Sequence, residues 1–152
     1  LDAADYPGFP HAEVSQRVAV PFDQFSTMAR KVCRVASKDE TRMILTGVLI
    51  EIEEGSLKLV ATDSYRLAVT EHLLATATSD FSAVLPGSFV SDLAGLSRTG
   101  GDISFSLSEN QVVVEYGGTV FVNRRIEGKY PNYKQLIPKE HDHDSICLRI
   151  AL

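Results

Sequence analysis

Apolar and polar positions alternate along much of this chain, and elsewhere apolar residues recur every three or four positions. The first pattern predicts strands and the second helices. Val14–Val20 alternates and reads as a strand. Pro21 follows, then a run from Phe22 to about Ser37 in which Phe25, Met28, Ala29, Val32, Val35 and Ala36 make one apolar stripe. That stripe is the mark of a helix buried along one side. Gly47–Glu53 and Ser56–Thr62 are strand-like and joined across Glu54-Gly55, a hairpin signal, and Arg66–Glu71 follows a turn at Asp63-Ser64-Tyr65.

The same order then returns. Phe81–Leu85 reads as a strand, Pro86 follows, and Gly87 to about Ser97 is helical, with Phe89, Val90, Leu93 and Leu96 on its stripe. A loop at Arg98–Gly101 leads to a second hairpin, Asp102–Ser108 and Gln111–Tyr116 across Glu109-Asn110, and Gly117-Gly118 turns the chain into Thr119–Arg125. The two hairpin turns lie 55 positions apart, as do Val48 and Ile103, and Pro21 and Pro86 lie 65 apart. This is an internal duplication of a β-α-β-β-β unit, the first half being longer in the loop after its helix. The expected architecture is α+β, with one antiparallel sheet per half and two helices covering a shared face.

The ends do not fit this unit. Residues 1–10 have no partner within it and the chain opens without Met, while Ser145–Leu152 is a further strand-like run beyond the polar stretch 139–144. The expected division is a tail or linker at 1–10, a central domain at 11–138, and a linker plus the first strand of a following domain at 139–152. No apolar run approaches the roughly 20 residues that span a bilayer, and the acidic, Pro-containing start is unlike a secretory signal. Apolar residues make up 44% and charged residues 23%, ordinary for a globular domain. Cys33 and Cys147 suggest neither a disulfide framework nor a zinc site. Cys33 falls on the first helical stripe, as a buried free thiol would, and a cytoplasmic setting is expected.

The net charge of −5 argues against a protein that grips nucleic acid over its whole surface, but not against a single basic face. From Phe22 to Lys38 the chain carries Arg30, Lys31, Arg34 and Lys38 against Asp23 alone. A basic stripe opposite an apolar one suits a helix facing phosphates, and it also suits a solvated helix face. The second helical run is weaker, with Asp92 inside it and Arg98 just beyond.

Signals of catalysis are sparse. His141-Asp142-His143-Asp144 could hold a metal, yet no third ligand stands at a fixed spacing, and a solvated linker explains it. There is no Gly-rich phosphate loop or nucleophile elbow. Asp63 and Arg66 fit a turn and a strand-end ion pair as well as a catalytic pair, and Glu53-Glu54 reads as surface charge in a hairpin turn. No catalytic residue, metal or cofactor is expected.

The most specific segment is Ala61-Thr62-Asp63-Ser64-Tyr65-Arg66-Leu67, preceded by Leu45-Thr46-Gly47-Val48-Leu49 and followed by Gly128-Lys129-Tyr130-Pro131-Asn132-Tyr133 and Leu136-Ile137-Pro138. These resemble, in order and spacing, the A-T-D-x-x-R-L, L-x-G-x-L and G-x-[FY]-P-[DN]-Y segments of the bacterial DNA polymerase III β-subunit family, the sliding clamps, in their central domain. The match covers most of the chain from Val18 to Pro138. Ser64, Tyr65 and Gln135 stand where some members carry Gly, His and Arg.

The resemblance implies a DNA-clamp fold of duplicated β-α-β-β-β units. It implies a processivity factor without catalysis, whose full chain pairs head to tail as a homodimer ring around duplex DNA, which it touches weakly and without regard to sequence. Arg30, Lys31, Arg34, Lys38, Arg42 and Arg98 would face the DNA. Replicative polymerase, clamp loader and repair proteins would insert short hydrophobic peptides into a pocket. This chain's share of that pocket would be Leu45, Thr62, Ser64, Tyr65, Arg66, Leu67, Pro131, Gln135 and Leu136. The competing readings are an interaction scaffold of the same fold without DNA binding, and an enzyme using the polar loop near His141.

Overall fold

The structure, a computed structural model, describes residues 15–76 and 79–140. The segments expected at 1–10 and 145–152, the residues His141–Asp144, Cys147 and the strand start at Val14 lie outside the described residues.

Both halves run strand, helix, three strands. The first contains β1 (Gln16–Pro21), α1 (Phe22–Val32), β2 (Gly47–Glu53), β3 (Ser56–Thr62) and β4 (Leu67–Leu73). The second contains β5 (Phe81–Pro86), α2 (Gly87–Ala94), β6 (Asp102–Leu107), β7 (Gln111–Tyr116) and β8 (Thr119–Arg124). The helices are shorter than their stripes. The chain tightens into 3-10 geometry at Cys33–Val35 before Ala36 turns extended, and Gly95 follows α2. Glu40–Thr46, expected as loop, is an irregular 3-10 segment kinked at Arg42.

The expectation of one sheet per half is overturned. The two four-stranded antiparallel sheets have the orders β1-β6-β7-β8 and β4-β3-β2-β5. Each half lends its first strand to the other, with Val18 opposite Phe105 and Ile50 opposite Ala83. Both lent strands end on a proline that is also the residue before the first helical turn. Proline's fixed φ serves an extended residue and a helix entry equally, so strand becomes helix without a loop. A strand that runs through one helix into the next strand delivers it parallel to the first. All-antiparallel sheets therefore require the exchange.

One core results. α1 lies against strands of both sheets, and α2 packs beside it on β5 and β2. Phe22, Phe25, Met28, Ala29 and Val32 of α1, with Val90 and Leu93 of α2, are buried against the inward residues of all eight strands. Phe105 joins the halves: its ring lies 5.2 Å from Phe25 and 6.3 Å from Phe81. Phe22 stacks on Tyr116 at 3.9 Å, and the Tyr116 hydroxyl donates to the Ser97 carbonyl and accepts from the Thr99 amide. At the end of α2 the Ala94 carbonyl accepts from buried Ser26 Oγ at 2.8 Å and from Arg30 Nε and Nη2 at 3.2 and 3.0 Å. A cation on exposed helix carbonyls favours the dipole and fixes one helix to the other.

Because Phe105 touches elements of both halves, Phe105→Ala is expected to lower stability by about 4 kcal/mol. A single unfolding transition should persist in urea followed by circular dichroism. Two separated transitions would show the halves to be independent.

Candidate functional site

The sheet face turned away from the helices carries a second, smaller apolar cluster. Alternation along the strands sends Val69, Val60, Leu49 and Val84 to this outer face, where they stand directly opposite one another across β4, β3, β2 and β5. Leu49, Val60 and Val84 are buried because residues after β8 return over them. Tyr133 is buried in this cluster, and Ile44, Leu67, Ile126 and Tyr130 pack around it. A Cβ at Gly47 would collide with Val84 Cγ1 and sit 2.9 Å from Ile126 Cδ1. Glycine there lets the returning segment lie down on the sheet.

That segment is fastened by polar groups. Ile126 N donates to Val84 O at 2.9 Å, Tyr130 Oη to Val60 O at 3.4 Å, Tyr133 Oη to Glu51 Oε2 at 3.0 Å and Lys134 Nζ to Glu53 Oε2 at 2.9 Å. Burial pushes the Tyr130 hydroxyl up to about 12. Burial raises Tyr133 too, reinforced by the Glu51 carboxylate that accepts its hydrogen bond.

Beside the cluster, Thr62–Leu67 forms a turn closed almost wholly by its own groups. Asp63 Oδ1 accepts from the amides of Tyr65 and Arg66 at 2.9 and 2.8 Å, and Asp63 Oδ2 pairs with the Arg66 guanidinium at 3.0 Å. The backbone bonds, from Arg66 first and then Tyr65, hold the Asp63 carboxyl below the usual range. Thr62 Oγ1 donates to Arg66 O and accepts from Ser64 N. Ser64 takes φ +77, the left-handed region. Asp63 and Arg66 are thus a structural pair.

The site expectations sort themselves on this geometry. Thr62 and Leu67 stand opposite each other at the end of the outer face, with Tyr130 reaching the Val60 carbonyl beside them. Leu45 and Thr62 are 7% and 3% exposed, so they support from behind. Tyr65 is 92% exposed and Leu136 60%. Arg66 and Gln135 are exposed and Pro131 half-buried. Ile44, Val69 and Tyr130 also belong to this face and were not singled out as site residues. Their signal was available in the alternation of β4, in the apolar run Met43-Ile44-Leu45, and in the motif tyrosine itself.

The basic residues divide. Lys31, Arg34 and Lys38 are exposed and make no ion pair among the described residues. Arg30 is committed to Ala94, Arg98 Nε lies 3.6 Å from Asp23, and Arg42 binds Asp39 and Ser64. A cleft of about 490 Å³ lined by Arg34, Lys38, Arg42, Tyr65 and Arg66 joins the basic end of α1 to the turn. Cys33 is half-buried rather than buried, at the foot of α1, and burial pushes its thiol up to about 11. Among the described residues no three His, Cys, Asp or Glu side chains cluster as metal ligands, and no helix is long and apolar enough to cross a membrane.

Two sheets with exchanged first strands, a shared helical layer and the returning segment together define a clamp-type domain. The chain belongs to the family described as DNA polymerase III beta subunit, central domain, which it matches over residues 19–132. It is 32% identical to the beta sliding clamp of Synechocystis sp. and 35% identical to that of Streptomyces coelicolor, with 92% of this chain covered in each case. The crystal structure of the DNA polymerase sliding clamp from Bacillus subtilis superposes with a TM-score of 0.82 at 32% identity, over 92% of this chain and 37% of that one. The chain spans 40% of the length of the Synechocystis relative and 39% of the Streptomyces one.

A lowered Asp63 pKa means that its contribution is complete above the unfolded value of about 3.9 and is lost as pH falls through the lower folded value. The Tyr65 and Arg66 amide resonances are expected to hold steady down to about pH 4 and to move only below it. An NMR titration checks this, and a midpoint above that pH would contradict the turn.

Proposed function

We propose that this chain is the central domain of a ring-shaped sliding clamp, a processivity factor with no chemistry of its own. In the full-length protein two copies pair head to tail around duplex DNA, in the cytoplasm. The domain itself occupies residues 11–138, with 1–10 and 139–152 belonging to its connections. The observation that carries the reading is the meeting of the two motif segments, around Thr62–Leu67 and Tyr130–Tyr133, on the sheet face opposite the helices. The helical layer, by contrast, bears the basic residues. One side is thus apolar with polar edges, suited to a short hydrophobic peptide. The other offers sparse positive charge to phosphates.

In this reading Leu67 and Pro131 wall the peptide pocket, Leu45 and Thr62 back it, and Ser64, Tyr65, Arg66, Gln135 and Leu136 form its rim. The peptides come from the polymerase, the clamp loader and repair proteins. A following domain supplies the rest of the pocket, so this chain alone binds weakly. Sliding requires contacts that hold no single register, and weak phosphate contacts meet that need. Lys31, Arg34 and Lys38 carry them, with Arg30, Arg42 and Arg98 adding to the field from positions already engaged within the protein.

Titration with a Gln-Leu-x-Leu-Phe peptide is expected to shift backbone amides at Leu45, Thr62–Leu67 and Pro131–Leu136. Leu67→Asp, in a domain that stays folded, should abolish the shifts. Absence of shifts at millimolar peptide, both here and in a chain extended past Leu152, would sink the pocket assignment. For DNA, replacing Lys31, Arg34 and Lys38 together by Ala should weaken duplex binding by the full-length protein regardless of sequence. The slope of log affinity against log salt should fall by up to about 0.9 per residue. An unchanged slope would remove these three from the DNA face.

A further inference from the structure

We propose that Arg42 is a positioning residue for the peptide site: its hydrogen bond to Ser64 holds the Asp63–Arg66 turn in the shape that presents Tyr65. This rests on the peptide-site reading above. Most of the turn's hydrogen bonds run within Thr62–Arg66, and among the described residues the side-chain tie that reaches its tip from elsewhere is Arg42 Nη1 donating to Ser64 Oγ at 3.0 Å, from 22 positions earlier in the chain. Ser64 is also where the turn needs help. At φ +77 an L side chain is disfavoured, and the hydrogen bond that Ser64 Oγ accepts from Arg42 in this conformation offsets part of the penalty. Tyr65 is 92% exposed, so it is the backbone of the turn, rather than side-chain packing, that sets where its Cα–Cβ bond leaves the surface.

Arg42 can act as a bracket because it is itself held. Its Nε donates to Asp39 Oδ2 at 3.0 Å, and Asp39 Oδ1 accepts from the amide and hydroxyl of Thr41 at 3.0 and 2.6 Å. Arg42 occupies the kink of the 3-10 segment, at φ −119 and ψ 66. Past the kink, Ile44 joins the outer cluster, and the Leu45 carbonyl accepts from Ser37 N at 2.9 Å. The guanidinium thus joins two rigid pieces, one donor to each. A lysine ammonium, a single point on a flexible stem, does not reproduce that fork. Arg42 was expected to face DNA, and this geometry assigns it to the turn.

Glycine at position 64 supplies the discriminating test, because it adopts positive φ without support. In the full-length chain, Arg42→Ala is expected to speed amide hydrogen exchange at Tyr65 and Arg66 roughly tenfold. It should also weaken binding of a labelled Gln-Leu-Ser-Leu-Phe peptide by about fivefold, and Arg42→Lys should not restore either. In a Ser64→Gly background the same Arg42→Ala change should have little further effect on either readout. Equal losses in both backgrounds would overturn the proposal in favour of direct contact between Arg42 and the ligand. Unchanged exchange with intact peptide binding would overturn the role of Arg42 alone. A parent chain that binds no peptide at millimolar concentration would overturn the site reading instead, with exchange still reporting whether Arg42 holds the turn.

Discussion

Two strand-to-helix junctions without a loop, at Pro21 and Pro86, constrain everything else in this domain. Each forces a strand to find its antiparallel partner in the opposite half. Neither half can then bury its own apolar face, because each sheet contains a strand that belongs by sequence to the other. The helices that follow the lent strands are brought side by side, and the triple acceptance at the Ala94 carbonyl is a product of that meeting. A duplicated sequence thus yields one core rather than two. Phe105 contacts both the first-half helix and the strand lent by the second half.

The same sheet that closes the core on its inner face carries the second apolar cluster on its outer one. Strand alternation does this without extra machinery: Ile50 and Ile52 point in, while Leu49, Glu51 and Glu53 point out. The outer residues are graded along the strands. An apolar row at Val69, Val60, Leu49 and Val84 is followed by a row of Glu71, Lys58, Glu51 and Ser82. The returning segment matches this grading, setting Ile126 and Tyr130 over the apolar row and Tyr133 and Lys134 at the carboxylates. The cleft beside Arg42 connects the exposed basic end of α1 to the turn beside the apolar row.

Much of this was legible in the chain. The strands Gly47–Glu53, Ser56–Thr62 and Gln111–Tyr116 have the bounds their apolar runs implied, because hairpin turns at Glu54-Gly55 and Glu109-Asn110 punctuate those runs. The motif residues Thr62 and Leu67 do lie together, as a tight turn between paired strands requires. The exchange of β1 and β5 was not legible, since apolar alternation says which face a strand buries and nothing about which neighbour it joins. Helix ends were overextended because Val35 and Ala36 pack on the core from 3-10 and extended geometry, keeping the stripe while leaving the helix. The basic residues looked equivalent in sequence. Their division into those with and those without a partner among the described residues depends on the Ala94 carbonyl, the Ser64 hydroxyl and the Asp23 carboxylate, which come near only in the folded chain.

The returning segment has a mechanical consequence. Its four fastenings, at Lys134, Tyr133, Tyr130 and Ile126, follow one another along the chain and each bears on a separate point of the sheet. A pull applied beyond Glu140 loads them one at a time from the far end, as a peeling strip is loaded. The ladders of β2, β3 and β5 share a load across many bonds at once. Tension on the C-terminal side therefore strips the cover and bares the apolar row before it reaches the core, so the outer face yields at forces the fold itself withstands.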